Sequence, residues 1–110
     1  MGIKMPAYVV AMMSIHDPEN YKNYTNRTPP LVKKYGGKFL TRGEDITCVE
    51  GKDYDGPMVL LEFPTKQHVD DWYNDPQYQE AVEFRKAAST MNMLLVQEGG
   101  KETEAPDPKL

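Results

Sequence analysis

Apolar residues in this chain follow two rhythms. From Ala7 to Ile15, AYVVAMMSI is apolar at odd and even positions alike: Val9, Ala11 and Met13 share one strand face, Tyr8, Val10 and Met12 the other. Met58 to Phe63 (MVLLEF) and Met91 to Gln97 (MNMLLVQ) read the same way, as the third and last main strands. Lys38 to Arg42 (KFLTR) predicts a shorter strand, and Ile46 to Glu50 an extension along the sheet edge, before a polar hairpin loop from Gly51 to Pro57.

The second rhythm is helical. Asp17-Pro18-Glu19 supplies an N-cap, a first-turn proline and a first-turn acid. Tyr21, Tyr24, Thr28, Leu31, Val32 and Tyr35 then recur at helical spacing. Thr28-Pro29-Pro30 interrupts the run because proline lacks the amide hydrogen, so two short helical pieces are expected, with Thr28 as a cap for the restart. Gly36-Gly37 stops the second piece. After Pro64, Thr65 caps a helix carrying Val69, Trp72 and Tyr73, and Asp75-Pro76 opens another with Tyr78, Ala81, Val82, Arg85, Ala88 and Ser89 along one side.

The resulting order is strand, helix, strand, strand, helix, strand. That is the split βαβ arrangement of the ferredoxin-like class, an α+β fold with helices on one face of an antiparallel sheet. Such a sheet normally alternates apolar and polar positions when its other face meets water. Three strands here are apolar on both faces, and no segment remains to cover the second one. A second copy of the subunit is the economical cover, which predicts a homodimer with two sheets face to face. Residues 6–98 form the expected single domain, residues 1–5 a leader or flexible N-terminus and residues 99–110 a polar, flexible tail.

Composition narrows the possible functions. The 110 residues carry 13 basic and 17 acidic side chains, a formal charge of −4, with no basic stripe, which argues against nucleic-acid and anionic-membrane partners. No apolar run reaches the length of a membrane span. The single cysteine, Cys48, rules out an internal disulfide; it suits a reducing, cytoplasmic setting and is expected to be a buried, inert thiol.

The blocks AYVV (7–10), DPENYKNY (17–24), PPLVKKYGGKFLTRG (29–43), VLLEFP (59–64), WYNDPQYQ (72–79), RKAAS (85–89) and LLVQEG (94–99) resemble the family known as domain of unknown function 1330. That family lies within the dimeric α+β barrel superfamily. The resemblance implies the fold and a dimer but no activity. The wider superfamily includes cofactor-free monooxygenases, muconolactone isomerase-like enzymes, haem-binding proteins and stress-response proteins, an analogy at the level of fold.

Strand parity places Glu62 on the face of Met58 and Leu60, and Arg42 with Lys38 and Leu40. A carboxylate on an apolar strand needs a partner, and Arg42 is the expected one. The pair is either a structural bond at the dimer seam or a pocket carboxylate beside an arginine that grips an anionic substrate. Tyr8, Tyr24, Trp72, Tyr73 and Tyr78 form either core or the wall of an aromatic-lined pocket. Tyr24 stands out because the break at Thr28-Pro29 can open a cavity beside it. Arg85 and Ser89, one helical turn apart, either solvate their helix or provide a second anion contact. His16 and His68 lack partners at metal-ligand spacing, so no metal is expected; either could ligate a haem, but no sequence context singles one out and no cofactor is predicted.

The sequence therefore predicts a homodimer with a pocket for a small organic acid or aromatic metabolite. Glu62 and Tyr24 are the candidate proton-moving residues; Arg42, Arg85, Tyr8, Trp72, Tyr78 and Ser89 are the candidate ligand contacts. Cofactor-free proton transfer or oxygenation is the chemistry such groups can serve. The competing expectation is a non-catalytic structural or stress-related dimer.

Overall fold

A computed structural model describes residues 5–99, so most of the expected leader and nearly all of the expected tail lie outside the described residues. Eight elements follow in order: β1 (Ala7–Ile15), α1 (Pro18–Thr25), α2 (Thr28–Lys34), β2 (Lys38–Phe39), β3 (Met58–Phe63), α3 (Lys66–Tyr73), α4 (Pro76–Ala88) and β4 (Ser89–Glu98). The strands form one sheet in the order β2-β3-β1-β4, with every pair antiparallel. This is the ferredoxin-like arrangement the alternation of elements predicts.

Local chemistry sets the boundaries. The Asp17 carboxylate accepts from the Asn20 amide at 3.2 Å, Thr65 from His68 at 3.3 Å and Asp75 from Gln77 at 2.7 Å, each satisfying an otherwise orphaned first-turn donor. The break between α1 and α2 falls where expected, with one correction. Thr28 is the first residue of α2, preceded by Arg27, whose side chain makes no capping bond. Pro29 and Pro30 then occupy the first turn, where a missing amide hydrogen costs nothing. Gly36 ends the second helix at φ +76°.

Three strand expectations are corrected. β2 stops after Phe39 rather than continuing to Arg42, because the amides of Leu40 and Thr41 both donate to the Leu60 carbonyl, at 2.7 and 3.2 Å. The Leu60 amide donates to the Thr41 hydroxyl at 2.9 Å, so a side chain takes the place of the next rung. Ile46 to Glu50 forms no strand. The loop holding it is fastened by Tyr54, whose hydroxyl accepts from the Met13 amide at 3.1 Å and lies 2.9 and 2.7 Å from the carbonyls of Met13 and Pro57. Met13 sits at the register shift between Met12 and Ser14, where β1 pairing with β4 is interrupted, so Tyr54 satisfies backbone groups the bulge sets free. β4 begins at Ser89, directly on leaving α4. Cys48 lies in the same loop and is exposed, contrary to expectation.

The sheet has one covered and one open face. Val9, Ala11, Met13, Leu61 and Phe63 point toward the helices and are buried with Val32, Val69, Trp72, Tyr78 and Val82. Pairing Val10 with Leu60 and Leu95, and Met12 with Met58 and Met93, gathers these apolar residues on the opposite face. There Leu95 is 57% and Met93 44% exposed, and the intermediate burial of Val10, Met12, Met58 and Leu60 shows that no helix among the described residues covers them.

Candidate functional site

The break between α1 and α2 holds that end of the helical layer off the sheet. Beneath it lies a cavity of about 250 Å³. Its floor is Ala11, Met13, Val59 and Leu61 of the sheet; Tyr21, Tyr24, Thr28 and Pro29 form the helical wall, and Phe39 and Arg42 stand on the β2 side. Among the described residues that line it there is no carboxylate, imidazole or thiol. Arg42 supplies the cation, with its guanidinium 4.4 Å from the centre of the Phe39 ring. A second cavity, of about 410 Å³, lies toward the edge strand β4 and includes Val9, Val69, Arg85 and Val96; Trp72 and Leu94 line both spaces.

A hydrogen-bonded trio stands behind Tyr24. The hydroxyls of Tyr24 and Tyr78 are 2.8 Å apart, and Arg85 Nη1 donates to them at 3.5 and 3.2 Å. Arg85 is only 3% exposed, and its guanidinium carbon lies 5.4 Å from the centre of the Tyr24 ring. Burial pushes the Tyr78 phenol far above its usual range, and burial likewise raises Tyr21 to about 12. At neutral pH both are hydrogen-bond donors, not bases.

Counting hydrogens shows what the trio lacks. Two phenols bring two hydroxyl hydrogens; one is used between them, and a guanidinium can only donate. Among the described residues the other hydroxyl hydrogen has no acceptor, and the buried Arg85 Nε and Trp72 Nε1 have no partner either. Nor, among the described residues, does Arg85 have a carboxylate within ion-pair distance. This interior is rich in donors and poor in acceptors, the opposite of a self-satisfied core.

The residues singled out from sequence divide into three groups. Tyr24, Trp72 and Arg42 line the first cavity, while Arg85 joins Trp72 in the second and Tyr78 is buried behind Tyr24. Ser89 lies 2.5 Å from the Arg85 carbonyl and 2.8 Å from Asn92 Oδ1, a bond at the end of α4. Glu62 and Tyr8 lie opposite each other on the open face, away from the cavity. The expected Glu62–Arg42 pair is corrected: Glu62 bonds Lys38 at 3.0 Å. Lys38 is its register partner across β2–β3, whereas the chain leaves the ladder before Arg42. Lys38 first, and the Tyr8 hydroxyl second, hold the Glu62 carboxyl below its usual range.

Sequence reasoning missed Tyr54, whose signal was a lone aromatic in a loop of Asp and Gly, and Met13, whose thioether accepts from the Tyr21 hydroxyl at 3.5 Å. Among the described residues no cluster of three His, Cys, Asp or Glu has the geometry to hold a metal, and no helix is long and apolar enough to cross a membrane.

Residues 6–99 match the family described as "Domain of unknown function (DUF1330)". The chain belongs to this family. No curated protein matches it. Among solved structures, the DUF1330 chain is similar to the RPA0582 protein of unknown function from Rhodopseudomonas palustris: 22% identity, 91% and 86% of the two chains covered, TM-score 0.70. It is also similar to a dimeric ferredoxin-like protein of unknown function from Jannaschia sp. CCS1, at 17% identity, 84% and 96% coverage and TM-score 0.61. SnoaB, a cofactor-independent oxygenase from Streptomyces nogalater, matches at 14% identity, 96% and 100% coverage and TM-score 0.58. At these identities the likeness establishes the DUF1330 chain's ferredoxin-like α+β fold.

Proposed function

We propose that this protein is a homodimer that binds a small organic acid or acidic aromatic metabolite in the cavity beneath the α1–α2 break. The observation that carries the proposal is the surplus of donors. With Tyr78 donating to Tyr24 and Arg85 donating to both, the Tyr24 hydroxyl hydrogen is free for an oxygen acceptor in the cavity this tyrosine lines. Apolar walls suit an aromatic body, and Arg42 is placed to meet an anionic group. The open apolar face of the sheet, together with the dimeric state of ferredoxin-like relatives, supports the second copy.

Any reaction in this cavity would draw on hydrogen-bond donation to a developing oxyanion, because no base lines it among the described residues. The substrate would have to arrive already ionised, or be acidic enough to lose its own proton. Cofactor-free oxygenation of such an ionised compound by molecular oxygen fits those groups, and SnoaB offers a parallel at the level of fold. Glu62, on the open face, is then a polar contact of the dimer seam together with Lys38 and Tyr8.

The test is a titration of the purified protein with aromatic carboxylates, followed through Trp72, the only tryptophan of the chain and part of the cavity wall. A ligand at 100 times its dissociation constant adds about 2.7 kcal/mol of stability, so a parallel thermal shift of several degrees is expected. Arg42→Ala should weaken binding about tenfold or more, the usual scale for a charge-assisted contact. Unchanged fluorescence and midpoint with every acid in the panel would sink the proposal.

A further inference from the structure

Thr28 carries a hydroxyl that the fold leaves unused. The residue is 6% exposed and lines the first cavity, yet its side chain makes no hydrogen bond among the described residues. The hydroxyl is nonetheless reachable. Among the described residues the unpartnered side-chain atoms without accessible surface are Trp72 Nε1 and Arg85 Nε, so the Thr28 oxygen keeps surface of its own. The other hydroxyls of the lining are engaged. Thr25 lies 3.3 Å from the Lys22 carbonyl, Tyr21 donates to the Met13 thioether at 3.5 Å, and Tyr24 has only its hydrogen left to give.

Tyr24 and Thr28 flank the α1–α2 break on the helical wall, whereas Arg42 stands on the β2 side. With its oxygen already accepting, Tyr24 can only donate; the threonine hydroxyl both donates and accepts. A ligand hydroxyl satisfies the two at once, accepting from Tyr24 and donating to Thr28. Once ionised, the same oxygen takes a hydrogen from each. Between these groups and Arg42 the surface is apolar, from Ala11, Val59, Leu61 and Leu94. Size restricts the body to one ring. An apolar cavity of about 150 Å³ suffices for benzene, so about 250 Å³ leaves room for a ring with two short polar substituents.

We infer, building on the acid-binding reading of this cavity, that its occupant is a monocyclic hydroxyaryl carboxylate, with the carboxylate at Arg42 and the ring hydroxyl between Thr28 and Tyr24. Thr28 is then the residue that selects for the second oxygen. An acid without a ring hydroxyl shuts the Thr28 oxygen away from water and offers it no partner in return, which weakens binding of that acid.

The test is calorimetric titration of the full chain with benzoate, 3-hydroxybenzoate and 4-hydroxybenzoate, repeated on Thr28→Val, Thr28→Ser and Arg42→Ala. At least one hydroxybenzoate should bind about fivefold to tenfold more tightly than benzoate, the scale of one net hydrogen bond or two. Thr28→Val, which keeps the shape and removes the hydroxyl, should erase that preference while benzoate binds at least as tightly as before. Thr28→Ser should retain the preference, and Arg42→Ala should weaken all three acids alike. If Thr28→Val does not fold, Thr28→Ala makes the same comparison. Equal affinities for the three acids, or a preference that survives loss of the Thr28 hydroxyl, would overturn the assignment and leave the acid-binding reading standing. A chain that binds none of the three, while another aromatic acid binds through Arg42, overturns it too; silence toward every acid sinks both.

Discussion

The hydroxyl of Tyr24 on α1 lies 2.8 Å from the hydroxyl of Tyr78 on α4, joining residues 54 positions apart in a buried bond. Arg85 donates to both, so the contact is a junction of three groups, not a pair. Removing either hydroxyl leaves buried polar atoms short of partners, which costs about 1–3 kcal/mol. Tyr24→Phe and Tyr78→Phe should each lower the urea midpoint by that much. The double variant should be less destabilised than the sum, with a coupling of about 1 kcal/mol. Strict additivity would show that the hydroxyls do not act together.

Asp75 gives the fold an acid-sensitive clasp. Its carboxylate accepts from the Tyr35 hydroxyl at 2.5 Å, from Lys34 at 3.0 Å and from the Gln77 amide at 2.7 Å, tying the end of α2 to the start of α4. Tyr35 first and Lys34 second hold its pKa at about 2, below the ordinary 3.8. Because the folded value is the lower one, the unfolded chain binds more protons between these values. The contribution is therefore present above pH 3.8 and is lost as pH falls through about 2. Asp75→Asn should be less stable at neutral pH and show a shallower decline across that window in acid-unfolding curves. An unchanged slope would assign acid sensitivity elsewhere.

Gly37 is required for space. A Cβ there would lie 2.6 Å from Phe63 Cε1 and 2.8 Å from Val32 Cγ1, both in the packed core. Gly37→Ala should cost about 1–3 kcal/mol through overpacking. At Gly43 a Cβ would meet nothing within 4 Å, so Gly43→Ala carries only the strain of its φ of +98°. Chemical denaturation of both variants separates the two causes, and equal losses would contradict the packing argument.

Association through the open face has its own test. Leu95 is 57% exposed and is paired with Val10 at the middle of the apolar face. Leu95→Asp should leave the subunit folded by circular dichroism and convert the particle, in light scattering, from twice the 12.6 kDa chain mass to the chain mass itself. A variant that keeps the doubled mass would place the interface elsewhere.

Much of the fold was legible because its signals are local. Asp17-Pro18, Thr65 and Asp75-Pro76 begin their helices through contacts within three residues of sequence, and Gly36 supplies the positive φ that ends α2. The strands apolar on both faces likewise pointed to an uncovered face of the sheet. What escaped depended on register. Parity put Glu62, Lys38 and Arg42 on matching phases, but only the β2–β3 ladder shows that Lys38 is opposite and that the strand ends before Arg42. The burial of Arg85 was equally hidden, since an arginine near a helix end reads as solvated until two tyrosines from different helices converge on it. The Tyr54 clasp on the β1 bulge spans 41 residues and leaves no trace in periodicity.

The pleat of β1 makes its sequence a two-voice record. Ala11 and Met13 line the cavity on the helical side of the sheet, whereas Val10 and Met12, interleaved with them, lie on the open side. Changes to the cavity floor and changes to the open face therefore fall on alternate letters of one short segment, and either can be made without rewriting the other.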